Sequence, residues 1–138
     1  MNKFDKLLSY LPALDGDVIG TWVIDHENDG TPERPIQMPF VHYSEMVNSF
    51  IEDVYDFEAN NKDFELTRYN EILDNYGLAW DSRFMSEADV SKLDAQCVMA
   101  LIMGAVRAER FCDGALLEFF QDGSIKKWLE RLKALDTL

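Results

Sequence analysis

Ten residues, Cys97 to Val106, run apolar without interruption and contain no proline. They sit within AQCVMALIMGAVRAERFCDG, residues 95–114, which turns polar abruptly at Arg107, Glu109 and Arg110 and closes at Gly114. Ala, Met, Leu and Gln favour helix. A helix that is apolar on every side must be enclosed by other elements. The run is too short to span a bilayer. The stretch therefore predicts a buried central helix over about 95–112, capped by Asp94, in a mainly α, single-domain helical bundle covering residues 1–138.

Elements that could enclose it are readable on both sides. Phe4, Leu7, Leu8 and Leu11 have the spacing of an amphipathic helix ending near Pro12. Gly20–Ile24 and Ile36–Val41 are rich in aromatic and β-branched residues and flank a turn-rich segment. They predict a two-stranded hairpin over about 20–24 and 36–41, with Pro39 on an edge, laid on the helices. Ser44 is an N-cap for the stripe Met46, Val47, Phe50, Ile51, Val54, Phe57. Thr67 is a candidate cap for a helix through Tyr69, Ile72, Leu73 and Tyr76 that stops at Gly77.

Residues 77–85 read as a loop holding Trp80, and Ser86 to Asp89 as a capping box opening a short helix. Leu116 to Phe120 predict a two-turn helix ending at Gly123. Ser124 then caps a last helix that buries Ile125, Trp128, Leu129, Leu132 and Leu135 and turns Lys126, Lys127, Arg131 and Lys133 to water.

Length and charge narrow the function. A chain of 138 residues buries about two thirds of its unfolded surface, so no metal or disulfide is required for stability. The net charge is −13. Residues 1–94 hold 20 acidic and 7 basic side chains, whereas 95–138 hold 6 of each. Such a chain repels nucleic acid and anionic membranes, so neither is an expected direct partner. The N-terminal segment lacks the apolar core of a signal peptide, and the cytoplasm is the expected location. Cys97 and Cys112 on one helix would lie about 22 Å apart, beyond disulfide reach, and read as small buried hydrophobes.

Catalytic and metal motifs are sparse. Asp25, Glu27, Asp29 and Gly30 have the opening spacing of a calcium loop, but Pro32 and Ile36 stand where the loop needs an aliphatic residue and a bidentate carboxylate. A hairpin turn explains them better. His26 and His42 have no zinc-ligand spacing with the cysteines. No cofactor, catalytic residue or metal site is expected.

The arginines are the one suggestive cluster. At 100° per residue, Gln96, Met103, Arg107 and Arg110 share one side of the helix within about 60°, and Glu109 points away. Arg107 and Arg110 therefore need acceptors from elsewhere. Internal carboxylates or helix-end carbonyls would make them structural. A hollow would make them an anion clamp with Gln96, with Asp94 or Asp113 as acid or base. Three functional readings follow. The first is a non-enzymatic interaction module with a protein partner or a second copy of itself. The second is an anionic-ligand binding protein or enzyme using the clamp. The third is an acidic DNA mimic using Glu45, Glu52, Asp53, Asp56 and Glu58.

Four features occur together: a Trp-containing segment before Gln37-Met38-Pro39-Phe40-Val41, Asp94 entering the apolar helix, Arg107-x-Glu109-Arg110-Phe111-x-Asp113-Gly114, and Gly123 before a Leu-rich last helix. In these the chain resembles a family of small bacterial and phage-borne proteins, domain of unknown function 6508, over nearly its whole length. The acidic residues 25–33 are longer than the family's usual turn. The resemblance implies one domain and a cytoplasmic setting, and it implies no activity.

Overall fold

The structure, a computed structural model, describes residues 3–15, 19–24, 30–35 and 40–136. The expectations for Pro39, His26 and the carboxylates of 25–29 lie outside the described residues. Helices α1 (Asp5–Leu8), α2 (Glu45–Asn60), α3 (Tyr69–Asn75), α4 (Ser82–Glu87), α5 (Ala95–Ala108), α6 (Ala115–Gln121) and α7 (Ser124–Asp136) carry the fold. Strands β1 (Gly20–Val23) and β2 (Phe40–Tyr43) form an antiparallel pair in which Gly20 faces Tyr43 and Trp22 faces Val41.

Helix α5 is the axis. Every residue from Cys97 to Val106 is buried, and α2, α3, α6 and α7 pack around it. Asp94 starts it by accepting the Cys97 N–H at 2.9 Å. It stops at Ala108, four residues short of the predicted end, because the backbone tightens into turns in which Arg110 N–H donates to Arg107 O. The flanking stripes pack as their periodicity requires: Phe50 and Val54 from α2, Leu73 from α3, and Ile125, Trp128 and Leu132 from α7 are fully buried. Gly104 stands within α5 for a packing reason. The Trp80 ring lies on it and donates its indole N–H to Gly104 O at 2.9 Å, and an added Cβ would meet Met85 Cε at 3.1 Å.

Several boundaries differ from the sequence reading. The first helix ends at Leu8, and Pro12 lies inside a separate 3-10 turn, Leu11–Asp15. Thr67 caps nothing; it lies within a 3-10 turn, Leu66–Arg68, that runs directly into α3. Ser86 lies inside α4, which begins earlier because the Asp81 carboxylate accepts the N–H groups of Arg83 and Phe84. Asp89 caps only the 3-10 turn Val90–Lys92. Ser44 does cap α2, through Val47 N–H. Ser124 is the first residue of α7, and its own N–H is held by Asp122.

Two basic residues of α7 do not face water. Lys127 donates to Ser86 O at 2.6 Å and Ala88 O at 3.3 Å, meeting carbonyls left free where α4 ends. Arg131 donates to Leu93 O at 3.1 Å and 3.2 Å. The last helix thus clamps the connection between α4 and α5.

The cysteines separate as well. Cys97 is buried, and burial, aided by the Asp94 charge, pushes its thiol up to about 12. Cys112 is exposed, contrary to its reading as a buried hydrophobe, because α5 has ended before it. A thiol-specific chromogenic reagent is expected to titrate one thiol in the native protein and both in denaturant. Two fast thiols in the native state would contradict the packing at Cys97. No helix among the described residues is long and apolar enough to cross a membrane.

Candidate functional site

The C-terminal end of α5 gathers most of the polar chemistry. Glu109 leaves the helix in the direction of α6 and β2. Its carboxylate accepts the Tyr43 O–H at 2.5 Å, the Gly114 N–H at 3.1 Å from both oxygens, and the Leu116 N–H at 3.0 Å. The Tyr43 hydroxyl in turn accepts the Leu117 N–H at 3.0 Å, and Ala115 N–H donates to Cys112 O at 3.1 Å. The first-turn amides of α6 are therefore all satisfied, although Gly114 before it carries no side chain to cap them. Burial, and then the hydrogen bond to Glu109, raise the Tyr43 phenol well above its ordinary range.

The hairpin is seated here by a second contact. Tyr43 and Trp22 lie on one face of the ribbon, as alternation requires. The Trp22 ring rests against Gly114, where a Cβ would come within 2.4 Å of its Cζ2. Gly114 also has φ +91°, a conformation that side chains with a Cβ rarely adopt.

Arg107 and Arg110 sit apart from Glu109. Both guanidinium carbons lie 5.6 Å from the centroid of the Tyr55 ring on α2. Among the described residues neither arginine forms an ion pair, and the buried Nε of Arg107 has no hydrogen-bond partner. Tyr69 lies close enough to feel the Arg107 charge. It is in edge contact with Trp80, which is in edge contact with Phe111.

The other three candidates do not join the arginines. Gln96 is eleven residues back along α5, about 16 Å at the helical rise, and its amide donates to Phe64 O at 3.0 Å. It borders a polar hollow of about 180 Å³ between Arg68 and Tyr76. Asp94 is engaged as the N-cap and accepts the Tyr76 O–H at 2.7 Å. Asp113 is exposed and acts electrostatically on Tyr43, on the hairpin side. Little in the sequence singles out Tyr55. Its only signal there is an aromatic ring at the margin of the α2 stripe, four residues after Ile51.

An apolar groove of about 190 Å³ opens beside this cluster, lined by Trp80, Met85, Ala108, Phe111, Cys112 and Phe119 among others. Phe111 is 78% exposed at its edge. No group of three or more potential metal ligands occurs among the described residues. Of the acidic row on α2, Asp53 is held by Lys6 at 2.9 Å and by the Tyr10 hydroxyl, and Glu58 by Lys62 at 2.9 Å.

No curated protein and no solved structure matches the chain. A family model does, over residues 1–137. The match spans all four features read from the sequence, including the run from Arg107 to Gly114: the chain belongs to DUF6508, a family of unknown function.

Proposed function

We propose that this protein is a non-enzymatic interaction module, and that the groove between α4 and the segment 108–119 takes a second copy of the chain. The observation that carries this reading is Phe111, an aromatic side chain left 78% exposed on the rim of an apolar groove. Large aromatic anchors beside apolar pockets supply most of the binding energy at protein interfaces. Charge favours a self-contact at this place. The whole excess of negative charge belongs to residues 1–94, and of the residues lining the groove only Asp81 is charged. Two copies meeting there avoid the repulsion that their acidic surfaces would impose.

Sedimentation equilibrium of the wild type and of Phe111→Ser tests the reading. Reversible dimerisation of the wild type, lost in the variant while its circular dichroism and melting stay unchanged, is the expected result. A wild type that stays monomeric through the concentration series, or a dimer indifferent to Phe111→Ser, overturns it.

A further inference from the structure

We infer that Arg107, Arg110 and Tyr55 form a binding site for a small phosphate-bearing molecule. Two guanidinium groups share one aromatic ring in a protein of net charge −13, and among the described residues no carboxylate neutralises either. A stack on tyrosine holds a guanidinium in place and leaves its in-plane donors free. The Arg107 Nε–H is buried without a partner, a costly state that an acceptor brought by a ligand would relieve.

The charge count selects the ligand. Two uncompensated cations match a phosphate dianion better than a single carboxylate, and guanidinium forks fit phosphate oxygens. The acidic remainder of the surface excludes a polyanion such as nucleic acid, so the phosphate belongs to a small molecule. The neighbouring rings of Tyr69 and Trp80 offer apolar surface to whatever carries it. Trp80 also lines the groove proposed above, but the two readings rest on different observations, the arginines here and Phe111 there.

Inorganic phosphate is the probe. In ¹⁵N-resolved spectra of the arginine Nε–H groups, phosphate is expected to shift the Arg107 and Arg110 signals saturably, against chloride at equal ionic strength, and to raise Tm. Arg110→Gln, at an exposed position, should weaken this by about tenfold or more without altering the fold. Arg107→Gln should do the same, and Lys133→Gln, which removes an exposed charge on α7, should leave it unchanged. No saturable shift, an equal response in Arg110→Gln, or acetate binding as well as phosphate would overturn the inference. The first two remove the site, and the third removes the dianion.

Discussion

Gly114→Ala is expected to destabilise the protein by about 2–3 kcal/mol, the sum of a left-handed backbone and a collision. The backbone part follows from φ +91°. The collision follows from the Trp22 ring, whose Cζ2 lies 2.4 Å from where the new methyl must go. The ring is the end of a side chain, so it will swing away, and the contact that seats β1 goes with it. Gly77 supplies the control. It has φ +76° with nothing within 4 Å of its potential Cβ, so Gly77→Ala carries only the backbone cost, about 1 kcal/mol. Urea denaturation of both variants separates the two parts. Once Gly114→Ala is made, adding Trp22→Ala should cost little more, since the ring has already lost its seat. Equal effects of Gly114→Ala and Gly77→Ala would show that Trp22 does not rest there.

Glu109→Ala is expected to cost about 3 kcal/mol, because one carboxylate serves three donors that no other group replaces. The same pair leaves a signature in alkali. An unfolded tyrosine loses its proton near pH 10, whereas Tyr43 in the fold keeps its proton to higher pH. Above about pH 10 the unfolded state thus binds fewer protons than the native state, and stability falls as pH rises. Below that pH the contribution is fully present and flat. Tyr76, raised to about 12 chiefly by its hydrogen bond to Asp94, Tyr10, raised by burial and by Asp53, and Cys97, raised to about 12 by burial, act in the same direction, the thiol already from about pH 8.5. Tyr43→Phe should make the alkaline limb shallower, and Glu109→Ala should do so to a smaller degree, since burial of Tyr43 persists. A wild type whose denaturation midpoint is constant from pH 8 to 11 would contradict the assignment.

What could be read from the chain was local. The apolar run 97–106 and its cap Asp94 settle a helix from spacing and propensity alone, and the Ser44 cap and the stripes of α2 and α7 follow the same logic. The hairpin follows from its strand-forming residues, with the second strand running to Tyr43, two residues past the expected end. The pattern misleads where a residue serves a distant element. Asp81 outcompetes Ser86 as a cap because the chain reverses earlier than the apolar pattern suggests. Lys127 and Arg131 resemble solvent-facing residues in any helical projection, yet they bind carbonyls about 40 positions upstream.

The candidate site divides similarly. That Arg107 and Arg110 share a side while Glu109 points elsewhere follows from helical geometry. That one tyrosine on α2 meets both arginines does not, since no spacing rule links position 55 to position 107. Gln96 shares the arginines' direction around the helix but lies about 16 Å away along it, and Asp94 is taken up by the N-cap.

The way α6 is closed has a consequence for how the molecule opens. A helix of seven residues does not persist by itself in water, and the groups that close its first turn come from 74 positions away in β2 and from the end of α5. Fraying of α6 and detachment of the hairpin are therefore one cooperative event. The amides of Leu116 and Leu117 should exchange with solvent at the rate at which Tyr43 lets go, and not at the faster rate of an ordinary helix end.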